Sequence, residues 1–141
     1  MSTLPKDLLE HLVIVYPEMA AASVNPSFLE VLKAFEGGTW GHVYGAHWLL
    51  EIDPRTPHRA SVSVAVEPSF RGRGLGTRML EQAEAKAREL GCAWLTGWLW
   101  KQNAAALRMD VAFGFRIAGE LPDAYRGPQG VRDMVLVVKE L

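Results

Sequence analysis

A mixed α/β domain is the fold class this sequence predicts, and three observations predict it. Runs rich in β-branched and aromatic residues, with alternate positions apolar, recur at residues 43–52, 60–66, 93–100, 115–121 and 131–138; a period of two marks half-buried strands. Between several of them lie segments whose apolar residues return every three or four positions, as in helices with one buried face. A glycine-rich turn, Arg71-Gly72-Arg73-Gly74-Leu75-Gly76, joins one such strand directly to one such helix. A chain of 141 residues is the size of one domain, so residues 1–141 are expected to form a single unit. Hydrophobic residues at 49% and charged residues at 22% supply a core and a solvated surface, which argues against disorder.

Taken in order, Leu8, Leu9, Leu12, Val13 and Tyr16 fall at helical spacing until Pro17 interrupts, which predicts one short helix. A second is expected over residues 27–36. There Ser27-Phe28-Leu29-Glu30 reads as a capping box, Phe28, Val31, Leu32 and Phe35 share a face, and Gly37 provides a stop. A strand over 31–36, turning through Gly37-Gly38, is the competing reading. Residues 43–52 read as one strand that ends at Asp53-Pro54, with turn chemistry in Arg55-Thr56-Pro57. In the next strand Ala60, Val62, Val64 and Val66 make one face apolar while Ser61, Ser63 and Ala65 leave the other small, and Pro68 ends regular pairing. The helix after the glycine turn puts Leu75, Met79, Ala83, Ala87 and Leu90 on one stripe, pairs Glu84 with Arg88 four residues on, and stops at Gly91. Along 93–100, Trp94, Trp98 and Trp100 share a face. Asn103 is placed to cap a helix running through Ala112, with Gly114 as its stop. Two last strands, 115–121 and 131–138, are joined by the segment 122–130.

Composition excludes several function classes. A net charge of −1 leaves no broad basic face for nucleic acid. The longest apolar run near the start, residues 12–15, is far too short to span a bilayer, and no export signal precedes it, so a soluble, cytoplasmic protein with no membrane partner is expected. The one cysteine, Cys92, has no disulfide partner and no companions at metal-ligand spacing; it reads as a small buried residue at the start of a strand, and no metal is expected.

The glycine turn carries the chemistry. Glycines let the backbone approach an anion closely, the first N–H groups of a helix lack intrahelical partners, and the helix dipole concentrates positive charge at that end. Arg71, Arg73 and Arg78 add formal charge. The ligand could be a nucleoside triphosphate, a dinucleotide or coenzyme A. A triphosphate loop needs a Lys followed by Ser or Thr after its last glycine, whereas Gly76 precedes Thr77 and Arg78. A dinucleotide turn needs G-x-G-x-x-G and an acid about 20 residues on; here the spacing is G-x-G-x-G, and residues 93–96 contain no acid.

The stretch Val64-Ala65-Val66-Glu67-Pro68-Ser69-Phe70-Arg71-Gly72-Arg73-Gly74-Leu75-Gly76 resembles the acetyl-CoA signature of the GNAT superfamily of N-acetyltransferases, with its R/Q-x-x-G-x-G/A core. Asn103, Ala106 and Gly114-Phe115 are similar to the second motif of that family, and residues 130–136 to its closing strand, so the resemblance covers about residues 43–140. It implies a mostly antiparallel mixed sheet flanked by helices, and acetyl-CoA as cosubstrate without a metal. Two strands would splay, Val64, Ala65 and Val66 would meet the pantetheine arm, and the N–H groups of Gly72, Arg73, Gly74, Leu75, Gly76 and Thr77 would hold the pyrophosphate beside Arg71. Asn103 would contact the pantetheine or its surroundings. The reaction implied is direct attack of a primary amine on the thioester in a ternary complex, with the Val66 N–H as oxyanion donor; the amine belongs to a small molecule, an amino acid or a protein.

The pattern departs from the family in two places. Where the family places a tyrosine acid, seven residues after the Asn, this chain has Asp110, which could donate a proton only if burial raised its pKa by several units. Otherwise it reads as an exposed helix residue, as a base, or as an anchor for a cationic amine. Tyr125, in the segment before the last strand, could supply the phenol if that segment folds over the thioester. Glu67 is the acid nearest the oxyanion position, although a surface residue is the simpler reading. His47 could serve as a base or be structural, and Trp98 and Trp100 could wall the acceptor site or belong to the core. The second departure is a shortened front, without the opening strand of the family, which leaves the acceptor site more open or completed by the second copy of a homodimer. Two rivals follow: a binding module that senses acyl-CoA without chemistry, and an interaction protein that uses the fold without a ligand.

Overall fold

Six strands form one mixed sheet in the order β1-β2-β3-β4-β6-β5. The computed structural model describes residues 3–17, 26–127 and 130–141. Along the chain the elements are α1 (Lys6–Val15), α2 (Pro26–Gly37), β1 (Thr39–Val43), β2 (Ala46–Glu51), β3 (Arg59–Val66), α3 (Leu75–Glu89), β4 (Trp94–Trp100), α4 (Ala104–Phe113), β5 (Arg116–Gly127) and β6 (Gly130–Glu140). Every neighbouring pair is antiparallel except β3 with β4. The chain passes between those two through α3, the long crossover that a parallel pair requires. No strand precedes α1 among the described residues.

Alternation along the strands sorts side chains into two cores. Ala46, Trp48, Leu50, Ala60, Leu95 and Val137 meet Met79, Leu80, Ala83 and Ala87 of α3 on one face. On the other, Leu49 meets Leu8 and Leu12 of α1 and Phe35 of α2. The helix reading of 27–36 therefore holds against the strand reading, because Phe35 at 1% exposure anchors it to the sheet. The helix begins at Pro26, so Ser27 lies inside it, and the side-chain contact of the expected capping box falls outside the described residues.

Three expectations need correction. Residues 43–52 are not one strand: Tyr44 and Gly45 turn the chain back, pairing Val43 with Ala46 in a hairpin. Gly45 adopts φ 90°, and a Cβ there would lie 2.6 Å from the Phe70 ring, so turn geometry and close packing both select glycine. The signal was present as Tyr-Gly inside an apolar run, but the run hid it. The segment 122–130 is not a connecting loop as far as Gly127, because β5 continues through it with register shifts at Ile117/Gly119 and Leu121/Tyr125. Finally, Leu90 leaves the α3 stripe: it is 44% exposed beyond the helix end, while Leu80 is buried. Cys92 is buried near the start of β4, and burial pushes its thiol pKa up.

Truncation at a buried and at an exposed leucine should separate core from surface. Leu95→Ala removes a fully buried side chain and should cost about 2–5 kcal/mol, whereas Leu90→Ala should stay within about 0.5 kcal/mol, both read from urea unfolding.

Candidate active site

The strands β3 and β4 pair only over Arg59–Trp94, Ala60–Leu95 and Ser61–Thr96. Beyond that point β3 stays on β2 as far as Val66, and β4 stays on β6 as far as Trp100, so the two diverge. Backbone direction follows from one bond: the Glu67 N–H donates to the Gly45 carbonyl at 2.8 Å, on the β2 side. N–H groups alternate along an extended strand, so those of Val66 and Val64 turn to the other side, into the gap. Unpaired strand groups are a template for an extended amide chain.

The glycine turn closes one end of this gap. After β3 a short 3-10 turn (Pro68–Phe70) leads to Gly72 at φ 79° and Gly74 at φ 76°, left-handed values that side chains other than glycine rarely tolerate. A Cβ at either would meet nothing within 4 Å, so these glycines are required for conformation and the space beside them is open. Gly76 has a different reason: a Cβ there would sit 2.5 Å from Sδ of Met109, so it lets α3 approach α4. The first helical amide of α3 to bond backwards is that of Arg78, to the Gly74 carbonyl at 3.1 Å. The amides before it point out of the helix end, whose first turn carries no acid.

Gap and turn open into one cleft of about 610 Å³, lined by Val64, Ala65, Val66, Arg71, Gly72, Gly74, Leu75, Gly76, Thr77 and Asn103 among others. Of the eleven residues expected to hold coenzyme, Arg73 alone is not in its wall; its guanidinium sits over the Phe70 ring, 5.3 Å from the centroid. Asn103 also caps α4, its Oδ1 accepting from the Ala106 N–H at 3.2 Å. The far wall, missed in the sequence, is the end of α1, with Ile14, Val15 and Pro17. Its one sequence signal was apolar Ile14, off the helical spacing of Leu8, Leu12 and Tyr16; it is 49% exposed in the structure.

None of the catalytic candidates lines this cleft. Asp110 is buried on α4 rather than exposed as expected, and that burial pushes its carboxyl up to about 6. Tyr125 is on β5, its ring edge-on to Trp100 at 5.4 Å. The face of Trp100 is covered by the Arg132 guanidinium, 5.5 Å from its centroid, and Trp98 is 48% exposed rather than in the core. Glu67 is likewise not a surface residue. It is 9% exposed, and its Oε2 accepts from Nδ1 of His11 at 2.7 Å; Nε2 of His11 lies 2.7 Å from Nδ1 of His47. Burial, then the adjoining rings of His11 and His42, push His47 down to about 3. His11 was missed in the sequence, where the signal was one polar residue on the buried stripe of Leu8 and Leu12. Among the described residues no group of three or more His, Cys, Asp or Glu could hold a metal ion, and no helix is long and apolar enough to cross a membrane.

Comparison with known proteins supplies the frame. L-methionine sulfoximine/L-methionine sulfone acetyltransferase of Salmonella typhimurium is 33% identical over 60 residues, 43% of this chain and 35% of that protein. Blasticidin-S acetyltransferase of Streptomyces morookaense is 39% identical over 77 residues, 54% of this chain and 52% of that protein. The chain thus matches 35% of the length of one of these relatives and 52% of the other. The solved structure of the Bacillus subtilis acetyltransferase in complex with CoA superposes with a TM-score of 0.77 at 20% identity, over 100% of this chain and 95% of that one, and shares its fold. The model of the acetyltransferase (GNAT) family matches residues 6–115, a span that contains the whole wall of the cleft, and the chain belongs to that family.

Proposed function

We propose that this protein transfers an acetyl group from acetyl-CoA to a primary amine. One observation carries the reading: an unpaired strand edge and an anion-binding helix end open into a single cleft. The two parts fit the two halves of the coenzyme. The N–H groups of Val64 and Val66 suit its amide-rich arm, and the amides of residues 72–77, with Arg71 beside them, suit its diphosphate. Bound there, acetyl-CoA supplies an activated acyl thioester.

What the cleft lacks and what it holds support direct transfer in a ternary complex. Its wall has no cysteine, and Cys92 is buried elsewhere with a raised pKa, so no thiol is in place to carry an acyl group. The Val66 N–H faces the gap and would stabilise the oxyanion formed when the amine adds to the carbonyl. Glu67, next in the chain, does not line the cleft itself but is the acid nearest the oxyanion donor in sequence, and we assign it the ammonium proton. The two relatives, named for acetylation of L-methionine sulfoximine or L-methionine sulfone and of blasticidin-S, support a small amine as acceptor. The exposed Trp98 and the half-buried Ser61 and Ser63 lie on one side of the sheet, where an acceptor could pack. We assign residues 1–141 to one such unit.

A second reading has one observation in its favour. Neither Asp110, at the position of the family tyrosine, nor Tyr125 reaches the cleft, which would suit a non-catalytic acyl-CoA sensor. Thiol release measured over a panel of primary amines decides: turnover on any of them excludes the sensor, and tight binding without turnover excludes the enzyme.

Calorimetry should show acetyl-CoA binding, and Gly74→Trp, which fills the open space beside a left-handed position, should abolish it with an unchanged fold by circular dichroism. Tyr125→Phe and Asp110→Asn should leave kcat within about threefold of the wild type; a loss of about tenfold or more would restore that residue as the acid. Asp110 also predicts a pH effect on stability. Its folded pKa is raised above 3.8, so its contribution is complete below that pH and is lost as the pH rises towards about 6. Asp110→Asn should therefore gain about 2–3 kcal/mol over the wild type above pH 7 and nothing near pH 3, measured by urea unfolding at both.

A further inference from the structure

We propose that His11 is a positioning residue for acyl transfer: it holds the Glu67 carboxylate in the orientation that takes the acceptor proton, and His47 holds His11. The proposal rests on the reading of Glu67 as proton acceptor. Three elements converge to build the chain, with His11 on α1, His47 on β2 and Glu67 immediately after β3. The two contacts, each 2.7 Å, lie among side chains that are 2%, 0% and 9% exposed.

A polar chain of this kind is an expensive way to pack a helix on a sheet. Buried polar groups are unfavourable unless each finds a partner, and apolar residues of similar volume would serve α1 better. The chain is also incomplete, because Nε2 of His47 is buried with no hydrogen-bond partner among the described residues. A buried ring nitrogen without a partner calls for a reason. Glu67 supplies one, since it follows the oxyanion position and its backbone is fixed by the Gly45 carbonyl.

Each bond sets the next. Carboxylate oxygen Oε2 only accepts, so Nδ1 of His11 carries the hydrogen. When that is the one hydrogen on the His11 ring, its Nε2 accepts from N–H at Nδ1 of His47, and Nε2 of His47 is left bare. The surroundings disfavour charge on the neighbouring groups. His42, on β1, is pushed down by burial and then by His11, against the pull of Asp7 on α1 and of Glu67; His47 is pushed down to about 3. Tyr16, just past α1, packs against the His47 ring, and burial raises its phenol. His11 is thus the ring that meets the carboxylate directly.

With Oε2 held, Oε1 is the atom that receives the proton. The ammonium gives one proton to Glu67, and the amine nitrogen forms a bond to the acetyl carbon as the carbonyl electron pair moves to oxygen. On collapse the C–S bond breaks, its pair goes to sulfur, and sulfur takes a second proton from the same nitrogen. Glu67 then returns its proton to solvent, leaving amide, CoA thiol and one proton.

Asparagine and glutamine at position 11 separate the two bonds, because the Asn amide nitrogen falls near the place of Nδ1 and that of Gln near Nε2. His11→Asn should keep kcat within about threefold of the wild type, while His11→Gln should lose about tenfold or more, with the KM for acetyl-CoA unchanged in both. A role in packing alone would move both variants together, and equal kcat values would overturn the proposal. Glu67→Gln serves as the control for the reading beneath it. If Glu67→Gln is inactive while the position-11 variants match, positioning fails and the base stands; if Glu67→Gln keeps wild-type kcat, the base reading itself fails. Should neither variant fold, long-range proton–nitrogen spectra of the 15N-histidine wild type decide: a proton on Nδ1 of His11 is expected, and a neutral ring protonated only at Nε2 would refute the proposal.

Discussion

The loss of pairing between β3 and β4 after Ser61 and Thr96 is the constraint from which the cleft follows. Each strand keeps a partner on its outer side, so the gap costs the sheet no edge stability beyond its own width. β2 holds β3 to its end, and β6 holds β4. The crossover through α3 then places a helix N-terminus where the strands part, because the turn after Val66 has only the residues of the short 3-10 segment and the glycines in which to enter the helix. Strand edge and helix end are thereby adjacent for reasons of connectivity alone.

Alternation along β3 gives neighbouring residues opposite duties. The amide of Val66 faces the gap while that of Glu67 is spent on the Gly45 carbonyl, and the Glu67 side chain passes to the face that carries α1. A single-residue shift in the β2–β3 register would exchange these roles. The hairpin turn at Tyr44 and Gly45 is what prevents it, since Phe70 packs against both residues and ties the turn to the segment after β3.

Much of this was legible in the sequence because it rests on local rules. The strand, glycine turn and helix at residues 60–90 follow from period and from backbone requirements that few residues meet, and Asn103 and Gly114 mark the ends of α4 as caps should. What was not legible depends on distant contacts. Glu67 is buried because a histidine 56 residues earlier reaches it, and nothing near either residue announces the pair. Burial of Asp110 and exposure of Leu90 likewise depend on where helices end relative to the sheet, a tertiary fact that periodicity extends one turn too far. The β1–β2 hairpin was hidden by composition, since its turn lies inside the mostly aromatic and apolar run from Val43 to Leu50.

The two left-handed glycines carry a consequence for how this chain can change over time. Their requirement is written in dihedral angles, and the void beside them asks nothing of neighbouring side chains. Drift at Arg73 between them, or at Arg71 just before, would alter surface potential while the path of the main chain persists. A lineage descending from this protein could therefore lose most of the turn's recognisable spelling and still conserve its shape.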